Sequence, residues 1–435
     1  MNIKQTTDWN LCCGCGVCVG ICPKQCIAWE RENGMYQPRI ETAKCVSCGL
    51  CAKVCPGLGH KYAKNEAKTA VIGTVLHTHN AWSRDDDLRF VSASGGVVST
   101  MTRELLLKRQ YDTAFVVGDY CCDRQLCTQP VTAVDLEHAA QTKFPKSRYL
   151  PVSHENAVRY IRKNREKKVI FVGTSCAIRA LCAAIEQLRL PREQYLMIGL
   201  FCDSVFAYSA LNFFSSEAFC GTKKLTELHF KNKESGGWPG NMKFFFSDGS
   251  TAYQNKRERE KAKEYFMPER CLYCIDKLNI SADISVGDNY TGVDSSERGS
   301  NSVLIRTERG STAWNCVQER LELREITVEQ IAKAQALDWR LNRLMYAKIR
   351  EKEINRSKET SIMLNAGVQT ERNIKTYDAS RKILLKKLKI GEQYTENQDK
   401  MQKKKEKLEK RLARSEKRLT LHRIYRDIKR RIFSK

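Results

Sequence analysis

The chain is 435 residues long, with 20 cysteines and a formal net charge of +25. That length allows two or three domains, each burying its own core. No apolar run reaches the roughly 18–20 residues that cross a bilayer, and the richest, Tyr195 to Tyr208, is broken by Asp203. The opening MNIKQTTDWN lacks the apolar centre of a signal peptide, so the expected location is cytoplasmic. There, crowded cysteines point to metal and not to disulfides.

Residues 1–60 hold ten of the cysteines. Cys12, Cys15, Cys18 and Cys22 form CxxCxxCxxxC followed by Pro23, and Cys45, Cys48, Cys51 and Cys55 repeat it before Pro56. This is the spacing of the bacterial two-cluster ferredoxins, in which the fourth cysteine of each run serves the other cluster. The expected sets are Cys12, Cys15, Cys18 and Cys55 for one 4Fe-4S cluster, and Cys45, Cys48, Cys51 and Cys22 for the second. Three thiolates on one tight turn reach three irons, and Gly14, Gly16 and Gly49 let that turn bend. Zinc sites use four ligands in two CxxC pairs, which duplicated four-ligand runs do not match. Cys13 and Cys26 fall outside the pattern and read as bystanders.

Residues 61–70 read as a polar linker. From Val71 to about residue 320, strand-like runs alternate with helical stretches: 113–118, 168–173, 195–201 and 302–307. That alternation predicts an α/β fold. Ser92-Ala93-Ser94-Gly95-Gly96 precedes a helix-like VVSTMTRELLL, where small residues at a helix start suit an anion or serve as a plain cap. KVIFVGTSCAIRALCAAI reads as strand, turn and helix, with Cys176 at the helix start, where the dipole favours thiolate. Cys271-x-x-Cys274 reads equally as metal, redox or chance. No GxGxxG follows a strand, so a Rossmann-type nicotinamide site has no support.

Residues 321–435 read as helical and end in a basic tail. From Lys375 onward there are 22 Lys and Arg against 8 Asp and Glu. Leu408, Leu412, Leu419, Leu421, Tyr425, Ile428 and Ile432 trace an apolar stripe that changes phase between Leu419 and Leu421. A stripe beside a cationic face suits peripheral contact with the inner membrane surface, or equally a helix packed on a partner. Nucleic acid is disfavoured, because the patch has few aromatics for stacking.

Taken in order, the cysteine runs, SASGG, KSRY (146–149), FVGTSCAIRAL, GLFC, FKNKESGGW, RCLYC, ADISVGD and NSVLIRTERG resemble the coenzyme F420 hydrogenase/dehydrogenase beta-subunit family over residues 1–320. The resemblance implies an α/β iron–sulfur flavoprotein: an α+β ferredoxin-like module at 1–60, a beta-subunit N-terminal-type domain at 71–155, a C-terminal-type domain with the CxxC at 156–320, and the helical tail. Family members bind FAD and pass electrons between a two-electron carrier and iron–sulfur clusters. Archaeal relatives use the deazaflavin coenzyme F420, and some bacterial relatives are tied to surface-polysaccharide synthesis. A flavin exchanges both hydride and single electrons, so it is the simplest converter between a metabolite and a cluster. Ser94, Gly95, Gly96, Lys146, Ser147, Arg148 and Tyr149 are the expected FAD holders, with Lys146 and Arg148 on phosphate and Tyr149 against a ring. An ordinary solvated face is the competing reading for the two basic residues. Cys176, Cys202, Cys271 and Cys274 lie in segments matching the family's cysteine motifs, and four thiolates are the complement of a third 4Fe-4S cluster. The resemblance thus implies an oxidoreductase, or an electron-relay component of a separate enzyme. Its partner would be a redox protein or a small-molecule electron carrier. Departures at Ser175, at Asp203-Ser204 and at Asn289-Tyr290 spare the cysteines and leave the substrate open.

Overall fold

The computed structural model describes residues 2–61, 67–119, 125–138, 146–215, 223–294, 296–355, 363–366 and 375–392, with a few more between 403 and 414. Most of the basic tail therefore lies outside the described residues. Among those described, no helix is long and apolar enough to cross a membrane.

The N-terminal module holds an antiparallel hairpin, Ile27–Glu32 with Met35–Ile40. It also has two short helices, Val17–Ile21 and Leu50–Lys53, each entered through a left-handed glycine. Gly16 has φ 73° and Gly49 has φ 74°, a conformation that costs other L-residues. The module packs directly on the rest of the chain. Val17, Val19 and Ile21 share a core with Ala157, Val158 and Ile161 of the helix Glu155–Lys163, and with Ile178 and Leu181 of the helix Ser175–Gln187. A Cβ on Gly20 would lie 2.7 Å from the Glu155 carbonyl oxygen, so only glycine permits this approach.

The α/β body is built on one nine-stranded sheet, which takes strands from both 71–155 and 156–320 and one more, Leu321–Arg324, from the stretch that follows. Its order is Leu321–Arg324, His77–Ser83, Asn301–Ile305, Ile284–Asp288, Tyr195–Leu200, Val169–Thr174, Thr113–Val117, Leu126–Val131 and Val152–Ser153. Ile284–Asp288, Tyr195–Leu200, Val169–Thr174 and Thr113–Val117 run parallel. Ile170, Phe171, Leu196 and Ile198 on the central strands are fully buried, as expected of parallel strands covered on both faces. The four strand-like runs predicted from sequence all form sheet strands at these positions. Residues 321–435 are not wholly helical, however. Leu321–Arg324 adds an edge strand, and Met363–Ala366 pairs with Gly59–Lys61 of the N-terminal module. A separate three-stranded antiparallel sheet, Leu225–Asn232, Asn241–Phe246 and Thr251–Gln254, covers one end of the body.

Candidate functional site

The two N-terminal cysteine runs interleave, and Cys18 is in reach of Cys51 as well as of Cys55. Cys12 and Cys18 lie within electrostatic reach of Cys55 from the second run, as does Cys15. Cys51 is in reach of Cys48 and of Cys22 from the first run. The Cys26 thiol, 3.5 Å from Cys22, also meets Cys45. Polar groups already point at the sulfurs: the Gly14 N–H lies 3.4 Å from Cys12 Sγ and Thr6 Oγ1 3.3 Å from Cys55 Sγ. Burial pushes the bare Cys12 thiol up to about 12, a penalty that bound iron would remove. Among the described residues no three or more His, Cys, Asp or Glu side chains close on the space of a single metal ion.

The later cysteines also converge. Cys202 is in reach of Cys271, Cys176 and Cys274, and Cys271 of Cys274 and Cys176. Sheet topology explains the meeting. Cys176 opens the helix after Val169–Thr174, Cys202 follows Tyr195–Leu200, and both strands end on the same side. Cys271 and Cys274 come from a 3-10 turn at Glu269–Tyr273 laid across that side, with Cys202 N–H donating to the Lys277 carbonyl at 2.9 Å. The helix dipole does not make Cys176 a thiolate in the bare chain. Contact with the Cys13 thiol and then burial hold it well above the ordinary range. For Cys274 burial acts upward, but Arg340, Arg270 and Arg179 outweigh it and lower the thiol. Arg340 is 2% exposed and donates to the Asp203 carbonyl at 2.7 Å and its carboxylate at 3.1 Å. Arg343 donates to the Cys271 carbonyl at 2.7 Å. Two buried guanidinium groups thus stand beside four cysteines, where a thiolate-bound cluster would place negative charge.

Cys13, which lies outside the spacing pattern, touches both Cys15 and Cys176. It fills the gap between the first cysteine group and this third one. His154 lies on the same seam: its N–H donates to the Cys15 carbonyl at 2.8 Å, and burial takes its imidazole down to about 4.

On the far side of Cys202 opens a cavity of about 400 Å³. It lies at the carboxyl ends of the parallel strands, the usual ligand position in open α/β sheets. Thr174, Leu200, Cys202, Gly287 and Asp288 line it, as do Ser94, Gly96, Lys146, Ser147, Arg148 and Tyr149. Gly95 does not. A Cβ there would lie 2.7 Å from Asn301 Oδ1 and 2.8 Å from the Ala81 carbonyl, so this glycine serves packing against the sheet. Gly96, at φ 81°, enters the helix Val97–Leu107, whose first turn faces the cavity. Arg148 has protein partners already, with the Lys146 carbonyl at 3.1 Å and Glu227 at 3.8 Å. Tyr149 packs beside Phe206 and Phe230, with Arg259, Lys263 and Lys231 5.4–6.0 Å from its ring centre.

Several functional candidates escaped the sequence reading. Lys231, Lys263 and Lys277 join Lys146 and Arg148 in the cavity wall, against Asp203 and Asp288. Lys231 is buried and hydrogen-bonded to Asp288, which counters the burial and raises its ammonium. Lys277 is taken down to about 8, first by burial. Lys233 holds the SASGG turn from behind. Its ammonium donates to the carbonyls of Arg89 at 2.6 Å, Ser94 at 2.6 Å and Arg298 at 2.5 Å. The only sequence signal for these groups was FKNKESGGW, an alternation of basic and small residues without a spacing rule.

A mixed α/β body with Cys202 in its cavity wall, joined to a module of two-cluster cysteine spacing, has the make-up of an iron–sulfur protein. Comparison with known proteins agrees. Residues 11–57 match the 4Fe-4S dicluster domain, and residues 166–330 match the C terminus of the coenzyme F420 hydrogenase/dehydrogenase beta subunit. The chain thus carries a segment similar to the dicluster domain ahead of one similar to the C terminus of that beta subunit. It is 26% identical, over 82% of its length, to a coenzyme F420-dependent sulfite reductase of Methanocaldococcus jannaschii, and it spans 52% of that protein. It is 22% identical to the F subunit of the F(420)H(2) dehydrogenase of Methanosarcina mazei, over 74% of this chain and 87% of that one. A chain of the F420-reducing [NiFe] hydrogenase complex from Methanosarcina barkeri shares the fold, with a TM-score of 0.50 at 18% identity, covering 69% of this chain and 97% of that one.

Proposed function

We propose that the chain is an FAD-dependent iron–sulfur oxidoreductase. It would exchange electrons between a two-electron carrier at the cavity and three 4Fe-4S clusters. The observation that carries this reading is the unbroken order of redox positions. The cavity wall includes Cys202, the Cys176 group meets Cys13 and Cys15, and the first group interleaves with the second. Cys176, Cys202, Cys271 and Cys274 would hold the third cluster, with Arg340 and Arg343 offsetting its charge. FAD would supply the interchange between hydride and single electrons. Lys146, Arg148, Lys231, Lys263 and Lys277 outnumber Asp203 and Asp288 in the cavity wall, an excess of positive charge that suits a pyrophosphate, and the Gly96 turn gives close backbone. Coenzyme F420 is the first two-electron carrier to try, because the relatives' names carry it. Adding reduced F420, and separately NADPH, to the anaerobic FAD-loaded chain tests the reading. One of them should bleach the cluster absorption near ~400 nm, and only with FAD bound. A second reading, an electron-relay component of a separate enzyme, is favoured by the relative that is itself one subunit of a dehydrogenase. Clusters that dithionite bleaches, but no two-electron donor does, would select it.

A further inference from the structure

The second cysteine group differs from the other two in charge and exposure. Cys48 is exposed, Cys45 and Cys51 are partly so and Cys22 is buried, whereas no cysteine of the other two groups is exposed. Within two residues of Cys22, Cys45, Cys48 and Cys51 the chain carries Lys24, Lys44 and Lys53 and no Asp or Glu. All three lysines are exposed. Lys44 pairs with Glu41 at 2.9 Å, while Lys24 and Lys53 make no ion pair among the described residues. Between Cys45 and Cys48 stands Val46, 57% exposed, one of the few large apolar side chains left in solvent. Arg162 adds a further cation behind this face, donating to the Gly20 and Cys22 carbonyls at 3.3 Å each.

An apolar contact point at an exposed redox edge, rimmed by like charges, has the layout of a transient electron-transfer interface. The apolar centre allows close approach, and the rim steers encounter without binding so tightly that release fails. We infer that this face docks a small acidic one-electron carrier protein, which meets the chain at the Cys22, Cys45, Cys48 and Cys51 group. This rests on the cluster reading above. It adds the partner at the end of the path remote from the cavity, where no two-electron carrier is held. In the transfer itself one electron passes between the carrier's centre and the second cluster, one being oxidised as the other is reduced, and no bond forms.

Anaerobic stopped-flow mixing of the full chain with a reduced acidic plant-type [2Fe-2S] ferredoxin tests the proposal. The rate of electron arrival is expected to fall about tenfold or more as salt rises from low to about 0.5 M, because steering between opposite charges is screened. Lys24→Glu, Lys44→Glu and Lys53→Glu together should slow it by at least about tenfold at low salt, while Arg257→Glu on a remote helix leaves it unchanged. Iron content and the rate of reduction by dithionite, which needs no docking, should match wild type in both variants. A rate insensitive to salt and to the triple reversal, with iron intact, overturns the docking face and leaves the cluster reading standing. A wild-type chain without iron overturns both.

Discussion

Replacing Lys233 with methionine tests whether the SASGG turn belongs to the cofactor site. The ammonium sits 4% exposed and donates to three carbonyls that belong to three different segments: Arg89, Ser94 and Arg298. Methionine keeps the length of the chain and removes every donor. Each charge-assisted bond contributes roughly 1.5–3 kcal/mol, and an orphaned buried carbonyl costs about 1–3 kcal/mol. Against this stands the relief of burying a charge beside Arg89, Lys146 and Lys231, which with burial takes the ammonium down to about 7. We expect a net loss of about 2–4 kcal/mol in chemical denaturation. Released from behind, the turn carrying Ser94 and Gly96 loses its fixed place on the cavity wall. The dissociation constant for FAD, measured by fluorescence quenching on apo-flavin chain, should rise about 10–100-fold, equivalent to roughly 1.4–2.8 kcal/mol. Lower stability with unchanged FAD affinity would refute the link between this lysine and the cofactor.

Three further outcomes follow from the same geometry. Cys274→Ala should lower iron by about four per chain and leave the N-terminal clusters reducible by dithionite but not from the cavity, read by iron assay and absorbance. Gly16→Ala forces a left-handed alanine and puts its Cβ 2.0 Å from Ser153 Oγ, so denaturation should show a loss of about 2–5 kcal/mol, with reduced iron retention. His154 is fully buried with its imidazole taken to about 4 by burial. Between about pH 6.5 and 4 the unfolded chain binds this proton and the folded chain does not, so stability falls as pH falls, by about 3 kcal/mol over the window. His154→Gln should flatten that limb of the denaturation-against-pH curve relative to wild type.

The N-terminal two-cluster module was legible because its signal is local: three thiols on one turn announce themselves by spacing. The third group was legible only as scattered motifs. What brings Cys176 to Cys202 and Cys271 is the parallel pairing of Val169–Thr174 with Tyr195–Leu200, and strand order is not written in any one segment. Lys277, Arg340 and Arg343 were invisible among 75 Lys and Arg, and Lys231 and Lys233 were legible only as part of FKNKESGGW, since only burial separates a buried cation from a solvated one. The edge strand at Leu321–Arg324 had a signal that was passed over: Leu321 and Leu323 alternate with Glu322 and Arg324, a period of two that the surrounding helical pattern masked. At Gly95 the sequence could not name the neighbours, Asn301 and the Ala81 carbonyl, which a Cβ there would meet.

A continuous redox path from a flavin cavity through three clusters needs both the flavin and the iron of all three. Iron and released flavin, determined on the same anaerobically purified full-length sample, test it most directly. The account predicts about twelve irons and one FAD per chain. About eight irons, unchanged in Cys271→Ala, with no flavin released and none taken up on adding FAD, would contradict it.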